Sequence, residues 1–345
     1  MRTLTPAPDD ALDPATLEPR FGSYRGGLSR IEAGRAARGP FAGLARIARH
    51  KRWLFLVIAR EPVIVALTVL RFGYASNAFA FVYHTGERRM LAESSSLGPA
   101  FAAAVGDTGG RGVHARFRFG SFRTSVVAGP GTGLGRQPET ACEVRLSAKG
   151  LELSARLDAT GAPPAIAAIA AVASVADGFV ATEKRALLSA TGEAVVAGRR
   201  FTLDGGLAGC DYTQGLLPRH TAWHWAFALG LAKGGEPFAL NLVEGHVGEA
   251  ECAAWFLGDV HPLAEGRFQF DRSRPLEPWR VATVDGAVDL VFSPGGMHAE
   301  RKNLGIIRSR FVQPVGTYSG TVRLGDRSIE LEAMPGVVED QDVLW

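Results

Sequence analysis

The sequence predicts an all-β protein, built as barrels or sandwiches in two domains. Three observations carry this: many short apolar or alternating runs between turn residues, one convincing helical pattern, and a length of 345 residues, more than one core usually fills. A layered α/β fold needs long helices between its strands, and none are written here.

Taken in order, residues 1–39 form an irregular N-terminal segment rich in Pro, Gly, Asp and Arg, expected to wrap the surface. Met1–Asp13 lacks the apolar stretch of a secretory signal. A short helix follows over Pro40–His50, with Phe41, Leu44, Ala45, Ile47 and Ala48 on one face and Arg46, Arg49 and His50 on the other. Pro40 suits a first-turn position, where its missing N–H is not needed. Such a helix either plugs or flanks a barrel, or lies on a membrane surface as a peripheral contact. The runs Trp53–Ala59, Val63–Phe72 and Ala78–His84 read as apolar strands. Val113–Phe119 alternates as a half-buried strand does, and Phe122–Ala128, Cys142–Ala148 and Leu151–Leu157 continue the series. Lys149-Gly150 reads as a hairpin turn.

Gly and turn residues crowd 201–218, so the domain boundary is set there: 40–205 for the first β domain and 206–345 for the second. The second half reads as strands at Thr221–Leu229, Phe238–Val243, Ala253–Leu257, Gly266–Phe270, Trp279–Val284, Ala287–Phe292, Ile306–Val312, Gly316–Arg323 and Ser328–Glu332. Asp285-Gly286 and Gly325-Asp326 are its clearest hairpin turns.

Composition narrows the function classes. Hydrophobic residues make up 46% and charged residues 21%, an ordinary globular balance. The net charge is +3 and the 38 basic residues are scattered; the one dense run, Arg46–Arg52, is too short for a nucleic-acid footprint. Cys142, Cys210 and Cys252 are odd in number and lack CxxC spacing, which argues against structural zinc and against a disulfide framework. A reducing cytoplasm is the expected compartment. Ala159–Ala176 is uncharged but alanine-rich and broken by Pro163 and Pro164, so a loop and buried strand are expected rather than a transmembrane span. No cofactor or metal is expected. Gly129, Gly131, Gly133 and Gly135 lack the Lys-Ser/Thr ending of a phosphate loop, His246 and His261 have no HExxH spacing, and no serine sits in a Gly-x-Ser-x-Gly elbow.

Several motifs fall in a distinctive order: Lys51-Arg52-Trp53, Thr182-Glu183-Lys184-Arg185, Asp211-Tyr212-Thr213-Gln214-Gly215, then Arg219-His220-Thr221-Ala222-Trp223-His224-Trp225, Leu240-Asn241-Leu242 and Val338-Glu339-Asp340-Gln341-Asp342 with Trp345. This series resembles the bacterial domain-of-unknown-function family 2804, over about residues 45 to 345. That family is similar to a wider lipocalin-like (calycin-type) group holding carotenoid 1,2-hydratases and fungal cyclases. The resemblance implies two lipocalin-like antiparallel barrels side by side, with a pocket for a hydrophobic small molecule, and it implies no particular reaction. The family pattern ends Glu-Asp-His where this chain has Gln341, which puts a proton-transfer role there in doubt.

The candidate site residues follow from their surroundings. Trp223 and Trp225 share a strand face, where they either line an apolar ligand pocket or fill a core. Asp211, Arg219, His220 and Glu244 are the candidate catalytic groups; a carboxylate beside Arg and His either carries acid–base work or forms a structural bridge between the barrels. Asn241, polar within an apolar run, must bond to a strand edge or a ligand. Glu339, Asp340 and Asp342 form an acidic cluster without metal-loop spacing, so Glu339 and Asp340 are assigned to ligand binding or to pairing with an arginine, and Trp345 to anchoring the tail. Three functions stay open: a cofactor-independent hydratase, isomerase or cyclase using acid–base chemistry; a lipid or pigment carrier; and a structural or partner-binding protein with filled barrels. Oligomeric state stays open too.

Overall fold

The computed structural model describes residues 2–107, 114–128, 141–172, 178–303, 305 and 308–344. Strands hold 67% of the described residues against 6% in helix, which rules out helices layered over a parallel sheet. The strands form two curled antiparallel sheets of lipocalin-like type, a near-barrel and a half-barrel. The predicted turns sit where expected. Gly150 and Gly286 take φ of 73° and 70°, a left-handed conformation that glycine adopts without strain.

Helix α1 (Ala42–Arg49) leads into the first sheet. The strands that build the site there are β1 (His50–Arg60), β2 (Val63–Arg71), β3 (Ala75–His84), β4 (Arg89–Pro99), β5 (Phe179–Val196) and β6 (Gly206–Leu216), in spatial order β4-β3-β2-β1-β6-β5. Beyond β5 the sheet continues through Leu151–Asp158, Ala141–Ala148, Phe122–Ala128, His114–Phe119 and Ala103–Val105, and this last strand comes back against β2. The second sheet centres on β7 (His220–Leu231), β8 (Pro237–Gly245), β9 (Val288–Asn303), β10 (Arg308–Leu324) and β11 (Arg327–Leu344), in order β8-β7-β11-β10-β9.

The two faces of β1–β3 explain their unbroken apolar runs. Leu54, Leu56, Ile58, Leu67 and Val69 point into the first barrel, where Phe117, Phe122, Leu146 and Leu153 fill the interior. Phe55, Val57, Ile64, Phe79 and Phe81 point the other way and pack against Trp225, Phe227 and Leu229 of the second sheet. Strands buried on both sides lose the alternation that a half-solvated strand shows.

Several expectations need correction. The N-terminal segment does more than wrap the surface: Leu28 and Ile31 are buried in the first core, and Glu183 and Gln214 accept backbone hydrogen bonds from Leu28 and Ala33. Gly206–Leu216, assigned to the second domain, is a full strand of the first sheet between β1 and β5, so the change of sheet falls at 217–219. Its many glycines made it read as a linker. β4 and β5 are strands that the sequence reading passed over, because serines in one and charges in the other hide their period. α1 flanks β1 and β6, but its apolar face is turned outward. Ile166–Ala171 is the buried strand expected within Ala159–Ala176. No helix among the described residues is long and apolar enough to cross a membrane. Val113, the glycines from 129 to 135, Ile306 and Trp345 lie outside the described residues.

Candidate active site

The pleat decides which side chains meet. In β7, Trp223, Trp225 and Phe227 face the first sheet; direct cross-strand pairing puts Gln341, Glu339 and Val337 of β11 on the same face. Pairing of β10 with β11 adds Phe311 opposite Gln341, and Gln313 lies two residues along on the same face. The first sheet answers with Trp53 and Phe55 of β1, Asp211 and Thr213 of β6, and Lys184 of β5. Between these two faces lies a cavity of about 150 Å³, lined by these residues except Phe227 and Val337, and by Thr68, Leu70, Tyr74, Asn77, Phe79, His246 and Glu251. That volume matches an apolar cavity able to take one benzene-sized ring. The first interior is packed with side chains, and the cavity lies on the barrel's outer face, roofed by the second sheet.

Two buried polar groups define the cavity chemically. Lys184 Nζ lies 2.5 Å from Asp211 Oδ1 and 3.2 Å from Glu251 Oε2. Burial works against the Lys184 charge, but Asp211 and Glu251 outweigh it and raise the pKa of the ammonium. Burial, reinforced by Asp211 and opposed by Lys184, raises Glu251. Thr213 Oγ1 donates to Asp211 Oδ1 at 2.9 Å, and Trp53 Nε1 points to Asp211 Oδ2 at 3.4 Å.

The second group is Glu339. Trp223 Nε1 donates to its Oε1 at 2.8 Å and Gln313 Nε2 to its Oε2 at 3.0 Å. Those bonds favour the carboxylate, yet burial prevails and pushes the acid up to about 8. At neutral pH Glu339 therefore carries its proton. Trp223 stacks on Trp53 with ring centres 5.8 Å apart, which sets the indole bonded to Glu339 against the indole that points to Asp211. On its other side Trp223 meets His246 at 5.3 Å, an imidazole pushed down to about 4 by burial and by Lys184.

Around these groups, polar atoms of cavity-lining residues are buried without a hydrogen-bond partner among the described residues: Thr68 Oγ1, Asn77 Oδ1, His246 Nε2, Gln313 Oε1 and Gln341 Oε1. His298, stacked 4.2 Å from Phe79 and held by Glu93 at 2.6 Å, makes no hydrogen bond from its Nε2, which lies 3.9 Å from Glu300 Oε1. A natural protein leaves few buried polar atoms unpaired, so a concentration at one cavity calls for a ligand or water.

The predicted site residues divide. The cavity gathers Asp211, Trp223, Trp225 and Glu339. It does not gather Arg219, which is exposed, or His220, whose Nε2 meets Asp342 at 2.9 Å on the surface. Glu244 and Asp340 lie on the opposite face of the second sheet. There His224 Nδ1 meets Glu244 Oε2 at 2.8 Å, and buried Asp340 pairs with Arg310 and with Arg272 at 3.1 Å. The acidic cluster is thus split by the two-residue period of a strand, one carboxyl to the cavity and its neighbours away. Asn241 ties the wall together: its Oδ1 accepts from Trp225 Nε1 and its Nδ2 donates to the Glu251 carbonyl, both at 2.8 Å. Asn241→Leu should leave both partners unpaired and cost about 2–4 kcal/mol, read from urea unfolding midpoints. Lys184, Glu251, Gln313 and His246 are site residues that sequence reasoning did not nominate. The available signal was the charged triplet Glu183-Lys184-Arg185 inside an otherwise apolar strand.

No curated protein is similar enough in sequence to match. A crystal structure of a candidate AttH protein from Nitrosomonas europaea superposes with a TM-score of 0.50, covering 85% of this chain and 92% of its own at 12% identity. Kievitone hydratase from Nectria haematococca superposes with a TM-score of 0.48, covering 94% and 97% at 12% identity. At such identity the first likeness speaks for the fold alone. The profile of the domain-of-unknown-function family DUF2804 matches residues 8–345, nearly the whole length, and the chain belongs to that family.

Proposed function

We propose that the inter-sheet cavity binds an apolar small molecule bearing a polar group and moves a proton on it without a cofactor, as a hydratase, isomerase or cyclase does. One observation carries this reading: Glu339, a buried acid with its pKa pushed up to about 8, faces a cavity ringed by unpaired polar atoms. A carboxylic acid kept protonated near neutrality is a proton donor in waiting, and a site with little water strengthens its hold on a developing charge. Asp211, fixed by Lys184 and Thr213, would anchor the polar end of the ligand through Trp53 and its own oxygens, while Trp223, Trp225, Phe55 and Phe79 enclose the apolar body.

The test begins with native mass spectrometry of protein taken from its own host, which should show a retained apolar molecule. With that molecule or its precursor as substrate, Glu339→Gln should lower kcat by about 10²–10⁴, the usual worth of general acid catalysis. Unchanged turnover in that variant would remove Glu339 from the mechanism. The pH profile has a defined sign. Glu339 must be protonated to donate, so kcat/KM should hold near neutrality and fall above about pH 8, by about tenfold per further pH unit. A second reading, carriage without chemistry, is favoured by the engagement of Lys184, Asp211 and Glu251 with one another. It requires that ligand retention survive in Glu339→Gln and that no product ever form.

A further inference from the structure

Beside the cavity the fold leaves an apolar face uncovered. Phe41, Leu44 and Ile47 recur at the spacing that lines one side of α1, and they are 71%, 65% and 52% exposed. No residue of this helix is buried. A helix that serves only to flank a barrel turns such residues inward, against the wall.

This face adjoins the cavity mouth. The end of α1 abuts the turn between β2 and β3 so tightly that a Cβ on Gly73 would come within 2.2 Å of the Ile47 carbonyl oxygen. The residues on either side of Gly73, Phe72 and Tyr74, line the cavity. Lys51 joins the two, donating from Nζ to the Ala48 carbonyl at 2.7 Å and lying 4.5 Å from the centre of the Tyr74 ring. Tyr74 and Leu97, both on the cavity wall, are themselves 37% and 43% exposed.

The free charge beside the face is basic. From Ala33 to Arg60 the chain carries no Asp or Glu; Arg35 pairs with Glu32, Arg52 with Asp107, and Lys51 is buried, while Arg38 is exposed and makes no ion pair among the described residues. Arg46, on the helix, is exposed and makes no ion pair among the described residues. An apolar stripe bordered by cations fits an anionic lipid surface, where the stripe enters the acyl boundary and the cations remain with the headgroups. A second copy of the chain fits poorly, since it would set the same cations against themselves.

We propose that α1 and the adjoining cavity rim dock on an anionic bilayer, so that an apolar ligand passes between the membrane and the cavity. The proposal goes beyond the catalytic reading and stands whether or not Glu339 transfers a proton. It is tested by sedimentation of the full chain with vesicles of phosphatidylcholine alone and with about one third phosphatidylglycerol. Binding is expected to the anionic vesicles, to weaken at high salt, and to fall by about tenfold or more in Phe41→Ser/Leu44→Ser. Both side chains are exposed, so the double variant should melt with the parent. Leu44→Trp should show an additional blue-shifted emission on binding. Failure of the parent to bind anionic vesicles at low salt, or full binding by the double variant, overturns the proposal. So does a concentration-dependent dimer that Leu44→Glu dissociates, because the face would then belong to a second copy.

Discussion

Glu339→Gln is expected to make the folded chain more stable than the parent as pH rises, while lowering the proposed turnover. The carboxyl sits at about 8 in the fold against an ordinary value of 4.5, chiefly because burial disfavours its charge. Below about pH 4.5 folded and unfolded chains both hold the proton, and ionisation costs nothing. Between there and pH 8 only the unfolded chain releases it, so the folded state binds more protons and loses stability with each step upward. Integrated over that interval, the loss is about 4 kcal/mol by pH 8. Glutamine does not titrate and can still accept the bond from Trp223. The difference between variant and parent in urea unfolding should therefore grow from pH 4.5 to pH 8 in the variant's favour. A difference that stays flat across this range would mean that Glu339 ionises in the fold as an ordinary carboxyl does. Stability gained together with activity lost is what a residue retained for chemistry should show.

How much of this was legible in the sequence depends on the residue. Trp223 and Trp225 could be placed on one face from alternation alone, and that face is the cavity wall. Glu339, Asp340 and Asp342 read as one acidic cluster because they are close in sequence, although the same alternation, applied to β11, would have separated them. The location of the cavity was not legible. Leu54 and Phe55 are equally apolar, and nothing in β1 says which of its two faces closes a barrel and which meets a second sheet. That depends on pairing between strands more than a hundred residues apart, as β1 with β6. Arg219 and His220 were drawn into the site by adjacency to Trp223, but they fall where the chain crosses between sheets, and there side chains are exposed. Gln313 and His298 carry no local signal at all. Their importance comes from atoms left unpaired in three dimensions.

Lys184→Met should be the most damaging single change in the cavity, costing about 3–5 kcal/mol at pH 7, the usual effect of breaking a buried ion pair. Its ammonium separates two carboxyls, and without it Asp211 and Glu251 share a buried site with no cation between them. Burial already raises Glu251 against the pull of Lys184, so without the ammonium Glu251 would hold its proton further above the pH at which the unfolded chain releases it. The penalty is therefore largest at neutral and alkaline pH and shrinks as pH falls towards 4. Adding Asp211→Asn and Glu251→Gln removes the orphaned charges and should recover most of the loss in thermal melts at pH 7. If this triple variant remains as unstable as Lys184→Met alone, the damage comes from lost packing rather than charge. Full stability of Lys184→Met at pH 7 would mean that the site is open to water. The triple variant also separates the two polar groups of the cavity. Asp211 pushes Glu339 up and Lys184 pushes it down, and both act more weakly than burial. Losing the pair together should leave the alkaline fall in kcat/KM near pH 8, because the acid is tuned by its exclusion from water and not by its charged neighbours.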